Sequence, residues 1–465
     1  MKNYMNENIF SLPVKENFLL YAPLEGYATL VNSAALVQIQ HALLGKSATV
    51  DQEVVPIILA LQEHTHQVPR PRSGPFGIPQ FLGLVVTRGC NMACAYCDFV
   101  GLDNQKANMT TSLVRCAIDE YFNILHAKGE RKADIHFFGG EPFFVPEVVE
   151  FAVNYARLQG CAHDIDVTFE VITNGLFNQR LVEWIAGSFD SVILSLDGPA
   201  EIQNLHRPVM NGKPSFEQVV TNAQHLSTSD VELVLRSCIT SETVDRMPEI
   251  AEWMAQEFCP ASVCFESLVP SPRSQESHLL PPDPWRFALN FQLASRILEH
   301  HGIQAILSTA CLDTCQVSFC PTGHDAMIVT PDGNIHSCYR IEEDWRRAGL
   351  NLTFGRLTAV DNHKPGLNID SSALESIRRL NVTEYDMCSG CFCRFHCAGG
   401  CHVNRRLSKF QDRTSELCIQ TRLVTFSKLL NHLGEYDLGL SMLRDPQTLQ
   451  EMVLQEDDHI EVALS

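Results

Sequence analysis

Between Phe81 and Leu268 the chain alternates short apolar runs with longer amphipathic stretches. The runs are Phe81–Val86, Asp134–Phe138, Val167–Ile172, Ser191–Leu196, Val231–Ser237 and Ser262–Leu268. Each has the length and composition of a buried strand. Between them apolar residues recur at helical spacing, as at Leu113, Ala117, Tyr121, Ile124 and Leu125. Strands alternating with helices predict an α/β fold with a parallel sheet and right-handed crossovers. Six such units predict a partial (β/α)6 barrel of TIM type, short of the full eight.

The flanking segments have other patterns. Asn17–Asn32 reads as two strands around a Pro/Gly turn, followed by helices over Ser33–Leu44 and from Asp51 onward. The Pro-rich stretch Val68–Pro79 reads as a linker. From Cys311 to Cys418 the periodicity gives way to a loop-rich, cysteine-dense region. The expected units are therefore 1–67, a small α+β unit; 68–79, the linker; 80–305, the barrel; 306–425, the cysteine-dense domain; and 426–465, a helical tail with an acidic end at 455–465.

Composition narrows the class. The 465 residues are 45% hydrophobic, as expected of a globular chain. No apolar run approaches the ~20 residues of a membrane span, and the first residues lack a signal peptide's apolar core. These features predict a cytoplasmic protein with no membrane partner. Thiols stay reduced there, so the 18 cysteines read as metal ligands rather than disulfides. The net charge of −20 argues against nucleic acid, whose phosphates need neutralising Lys and Arg.

The predicted strands all end in polar or Gly-rich sequence. The first runs into Thr87–Val100, "TRGCNMACAYCDFV", and the second into Gly139–Pro142, "GGEP". The third ends at Thr173–Gly175, the fourth at Ser195–Pro199, and the fifth and sixth carry Arg236 and Glu266. In parallel barrels that rim builds the active site. Cys90, Cys94 and Cys97 are one short of the four ligands of a closed zinc site. Three suit an iron–sulfur cluster that keeps one iron free.

Cys90-x3-Cys94-x2-Cys97, with Tyr96 before the last cysteine, resembles the signature of the radical S-adenosylmethionine superfamily. The resemblance implies a [4Fe–4S] cluster whose fourth iron chelates S-adenosylmethionine, cleaved reductively to a 5′-deoxyadenosyl radical. It places Gly139, Gly140, Glu141 and Pro142 along the methionine end, with Glu141 near its amino group. It places Ser195 and Asp197 at the ribose and Asn174 at the turn approaching it. Arg236 suits the cofactor carboxylate, or a structural ion pair. The loop His206–Phe216 resembles one common in these enzymes, with no chemistry assigned, and no catalytic residue is identified beyond these.

Past the barrel the pattern is Cys320-x12-Gly333-x4-Cys338, then Cys388-x2-Cys391-x5-Cys397-x3-Cys401, then Cys418. It resembles the SPASM domain of peptide- and protein-modifying radical enzymes. That resemblance implies two auxiliary [4Fe–4S] clusters. One takes Cys315, Cys320, Cys338 and Cys401, and the other Cys388, Cys391, Cys397 and Cys418. Cys311 and Cys393 are near enough to replace Cys315 and Cys391, and zinc is the rival metal for the Cys-x2-Cys pairs.

Residues 1–67 resemble the winged-helix modules that bind leader peptides as an added strand, with a packing appendage as the alternative. The expected activity is hydrogen abstraction from a ribosomally made peptide or protein, giving a cross-link, thioether, epimerisation or oxidation. The expected electron donor is a flavodoxin or ferredoxin. The alternatives are formylglycine formation, as in anaerobic sulfatase maturases, and a non-catalytic zinc-stapled scaffold. Sulfatase maturases carry Asp directly after the cysteine of the Gly-x4-Cys element, where this chain has Tyr339.

Overall fold

The computed structural model describes residues 8–46, 49–62, 68–98, 108–320, 322, 325–358, 366–407, 415–447 and 449–450. The acidic end expected at 455–465 lies outside them. Near the N-terminus β1 (Phe10–Val14), β2 (Asn17–Ala22) and β3 (Tyr27–Asn32) form an antiparallel sheet in that order. Helices Ser33–Leu43 and Val55–Gln62 follow, the first capped by the Asn32 side chain, which accepts from Ala35 N. Strand β1 is an addition to the two expected strands. It joins β2 through Lys15 and Glu16, and Lys15 has φ 53°. Such two-residue turns usually announce themselves by Asn-Gly or Gly, and this one does not.

Strand β2 divides its side chains between two cores, as the period of two demands. Leu20 and Ala22 join Ile39, Ile58 and Leu61 in the unit's own cluster. Leu19 and Tyr21, with Phe10, Leu12 and Val14, enter the main core of the molecule. The unit is thus packed onto the body. The Pro-rich segment is fastened as well: Phe76 packs on Phe354 with ring centroids 5.5 Å apart, and Arg378 donates to the Gly74 carbonyl.

All six predicted barrel strands form: β4 (Leu82–Thr87), β5 (Lys132–Gly139), β6 (Asp166–Thr173), β7 (Ser191–Ser195), β8 (Glu232–Ile239) and β9 (Ser262–Ser267). They pair in chain order and in parallel, with the predicted helices between them, such as Thr111–Lys128. All six β4 residues are buried, as befits a parallel strand covered on both faces. A short β10 (Gln304–Ile306) adds to β9 in parallel.

The cysteine-dense region contributes more strand than its sequence suggested. β11 (Met327–Val329) lies parallel to β4, on the side away from β5. β12 (Asn334–His336), β13 (Thr353–Thr358) and β14 (Gly366–Ile369) continue antiparallel, completing one 11-stranded sheet among the described residues. Runs of three or four residues, as in β11, β12 and β14, carry no readable period, which is why those strands escape the sequence. Helix Glu416–His432 crosses the boundary expected after residue 425 and is bonded to helix Pro284–His300 through Asn431 and Gln292 at 2.6 Å. Among the described residues no helix is long and apolar enough to cross a membrane.

Candidate active site

The cysteine loop leaves the C-terminal end of β4 and is held on three sides. From the β5 side, Gly140 N donates to Thr87 O (3.0 Å) and Glu141 N to Gly89 O (2.9 Å). The approach is so close that a Cβ on Gly140 would sit 2.3 Å from the Gly89 carbonyl oxygen; only glycine fits there. From the β6 side, Asn174 Nδ2 reaches Asn91 Oδ1 at 2.8 Å and Cys90 Sγ at 3.6 Å. Met92 N donates to the same sulfur at 3.4 Å.

The third hold is a segment to which the sequence assigned no chemistry. Ala95 N donates to His206 O and Ala93 N to Pro208 O, both at 2.8 Å, and Met210 N to Asn91 O at 3.0 Å. His206 and Arg207 also complete a buried network around Asp197, which is 1% exposed. Asp197 Oδ2 accepts from Tyr96 Oη (2.8 Å) and pairs with His206 Nδ1 (3.1 Å), while Oδ1 accepts from Cys238 N (3.2 Å). Burial opposes the charge, yet His206 and Arg207 hold the carboxyl below its ordinary value. Arg207 in turn donates to Tyr96 Oη at 2.7 Å. The signal for this role was present in the "HRP" step that ends a short helix at His206, but only pairing across the loop reveals it.

Glu141 is equally enclosed, at 1% exposure. Its carboxylate accepts from Phe143 N (3.0 Å), Thr173 Oγ1 (2.8 Å) and Asn174 N (2.7 Å). Burial outweighs these bonds and pushes its pKa up to about 7. Glu141 therefore ties the ends of β5 and β6 together directly beneath the cysteine loop. Ser195 stands in register with Arg236 on the neighbouring strand.

Arg236 points into a cavity of about 480 Å³ that Cys97, Glu266, Tyr339, Cys401 and Cys418 also line. Its guanidinium is hydrogen-bonded to the Tyr339 hydroxyl and faces Glu266. Tyr339 stacks on Phe138, with centroids 4.8 Å apart and planes 7° from parallel. Glu266 accepts from Ser308 N at 3.1 Å and from the Cys264 thiol at 3.4 Å.

The later cysteines fall into two groups. Cys320, Cys338 and Cys401 lie within electrostatic reach of one another. Cys388, Cys391, Cys397 and Cys418 form the second set. The three residues between Cys397 and Cys401 make this division possible: Ala398, Gly399 and Gly400 have φ of 47°, 83° and 67°. This left-handed run, which favours glycine, reverses the chain and sends Cys401 to the other group. Cys393 is 1% exposed within the main core beside Cys391, so Cys391 and not Cys393 meets the other three. Cys315 stands apart from its expected partners, its thiol donating to Pro23 O at 3.2 Å beside Glu25. Cys311 bonds back to Leu307 O at 3.6 Å. Among the described residues no three of His, Cys, Asp or Glu converge tightly enough to share a single metal ion.

Residues 84–254 match the family described as the Radical SAM superfamily. The chain is 24% identical over 329 residues to a cysteine-type anaerobic sulfatase-maturating enzyme of Clostridium novyi, covering 65% of this chain and 84% of the relative. The solved structure of native anSMEcpe with bound AdoMet and Cp18Cys peptide superposes with a TM-score of 0.54 at 17% identity, covering 78% of this chain and 99% of that one. Streptococcus suis SuiB bound to S-adenosylmethionine gives 0.50 at 13% identity, covering 88% and 98%. With three cysteines on the rim of a parallel barrel, clamped by the glycine–glutamate turn of the next strand, residues 84–254 form a radical S-adenosylmethionine domain, a family that implies a [4Fe–4S] cluster and S-adenosylmethionine as cofactors.

Proposed function

We propose that the enzyme modifies a ribosomally made peptide or protein, holding the catalytic cluster on Cys90, Cys94 and Cys97 and two auxiliary clusters in the later domain. When bound, the first cluster and S-adenosylmethionine supply the electron and the 5′-deoxyadenosyl radical that removes a substrate hydrogen. The chain's own residues fix where this occurs. Glu141, Asn174 and the His206–Met210 segment hold the cysteine loop on three sides. Arg236, Tyr339 and Glu266 present donors and acceptors to whatever enters the cavity.

The observation that carries this reading is the cavity itself. Cys97 of the first cysteine loop and Cys397, Cys401 and Cys418 of the later domain all line it. Its volume, about 480 Å³, is in the range of small-molecule pockets and suits a side chain with its adjoining backbone. One auxiliary cluster is assigned to Cys388, Cys391, Cys397 and Cys418. The other is assigned to Cys320, Cys338 and Cys401, with Cys315 joining only if its loop turns away from Pro23. The similarity to sulfatase maturases brings formylglycine formation as the second reading, against which stands Tyr339 at the position of their Asp.

A leader peptide would add to β3, because β2 is central and β1 faces the main core. A flavodoxin or ferredoxin serves as electron donor. Co-expression with the peptide encoded beside this chain, followed by mass measurement, tests the proposal. A mass change dependent on Cys90, Cys94 and Cys97 is the expected result. Unaltered peptide alongside vigorous S-adenosylmethionine cleavage would reject that peptide as substrate.

A further inference from the structure

Two arginines from different elements converge on the second cysteine group. Arg422, in the middle of helix Glu416–His432 and 1% exposed, donates from Nη1 to Cys391 Sγ at 3.4 Å. Its guanidinium also lies over the Phe392 ring, 5.0 Å from the centroid. Arg405, on helix His402–Leu407, stacks over Tyr385 at 3.8 Å and directs Nη1 and Nη2 at Cys388 Sγ, 3.9 and 4.0 Å away. Both guanidinium groups are fixed in place by an aromatic face, which is the pre-organised use of Arg that Lys cannot reproduce. At the first group the neighbouring Arg340 gives its side-chain hydrogen bonds to Asp344, at 2.9 and 3.0 Å, and to Asn404, and its side chain reaches Cys338 and Cys401 through charge alone.

We propose that Arg405 and Arg422 are potential-setting residues that make the cluster on Cys388, Cys391, Cys397 and Cys418 the more easily reduced of the two auxiliary centres. The inference rests on the reading of those four cysteines as ligands of one [4Fe–4S] cluster. The couple is a one-electron step: the oxidised centre with its four thiolates carries a net charge of −2, and one added electron makes it −3. Positive donors at the sulfurs stabilise the −3 form more than the −2 form, so they raise the potential. Hydrogen bonds to the ligand sulfurs act in the same direction by withdrawing electron density. An electron arriving at the auxiliary domain therefore settles at this end, beside helix His402–Leu407.

The test uses the reconstituted full-length chain with Cys90, Cys94 and Cys97 changed to Ala, so that only the auxiliary centres report. Dithionite with mediators supplies the electron in an anaerobic titration followed by electron paramagnetic resonance. Arg422→Gln and Arg405→Gln should each lower one of the two midpoint potentials and leave the other in place, with iron content unchanged. Arg422→Lys, which keeps a charge but not the fixed geometry, should lower the same midpoint by less. If Arg422→Gln loses iron, Arg405→Gln and Arg422→Lys carry the comparison. Retained iron with both midpoints unmoved would overturn this inference alone. A parent protein that holds no iron would overturn the auxiliary-cluster reading, and this inference with it.

Discussion

The backbone N–H of Asn174 donates to the Glu141 carboxylate at 2.7 Å, locking the end of β6 to the end of β5 directly beneath the loop that carries Cys90. The same carboxylate holds Phe143 N and the Thr173 hydroxyl. Glu141→Ala would strand these donors in a dry site, each at a cost of about 1–3 kcal/mol. The expected outcome is a lowered melting temperature, reduced iron per chain and weaker S-adenosylmethionine binding together. Full iron with only cofactor binding lost would assign the carboxylate to the methionine end instead of to the loop.

How much of this was legible in the sequence depends on the length of the pattern. The six barrel strands were readable because each is a continuous apolar run bounded by turn residues, from Leu82–Thr87 to Ser262–Ser267. The cysteine triplet and GGEP were readable because rare residue types sit at fixed spacing. Strands of three residues, such as Met327–Val329, give no period to detect. The clamp of His206–Met210 on the cysteine loop is a contact between segments more than 100 positions apart, and no local pattern encodes such a contact. Tyr21 pairing with His396 is of the same kind, and it turns an apparently separate unit into part of the body.

Replacing Cys90, Cys94 and Cys97 together with Ala should abolish 5′-deoxyadenosine formation. The later cysteines are grouped independently of that loop, so about eight irons should remain, the content of two four-iron clusters. Metal analysis and product chromatography check both halves. Retention of cofactor cleavage would remove the basis for the assigned catalytic site.

Tyr339 stacks on Phe138 in the cavity and bonds Arg236, where sulfatase maturases by resemblance place an Asp base. A phenol held by a guanidinium and an aromatic face does not take over a carboxylate's proton chemistry. A cysteine-bearing sulfatase-type peptide should therefore gain no aldehyde when incubated with the reduced enzyme and S-adenosylmethionine. Labelling by an aldehyde-reactive probe would restore the maturase reading.

His336 is 1% exposed on β12 and edge-on to Trp345 at 5.3 Å. Burial, with help from Arg88 and Arg346 and against Asp332, lowers its pKa from 6.5 to about 4. Between those values the unfolded chain binds a proton that the folded chain does not, so stability is full above the upper value and falls as pH drops through the window. The loss is about 1 kcal/mol over the first unit below the ordinary value. Urea midpoints of the wild type and His336→Gln, compared at about pH 7.5 and about pH 5.5, should draw closer at the lower pH. A constant gap would mean that folding leaves the His336 pKa unshifted.

The N-terminal unit yields a prediction with two parts. Phe10, Leu12, Val14, Leu19 and Tyr21 belong to the main core, so deleting residues 1–67 removes core packing as well as any binding edge. Deletion should therefore give an insoluble or cluster-poor protein and cannot by itself measure leader binding. The edge of β3 can be tested without that damage. Successive N–H groups on an antiparallel edge strand alternate between the partner and solvent, so of Ala28 and Thr29 one points its N–H away from β2. Proline at that position removes a donor from the free edge and leaves the β2–β3 ladder whole, which an unchanged melting temperature identifies. The variant chosen in this way should cleave S-adenosylmethionine at the wild-type rate yet modify the full-length peptide poorly, while a leaderless core peptide is processed as before. Equal modification of full-length peptide by this variant and the wild type would show that β3 receives no leader, and that the unit serves the fold alone.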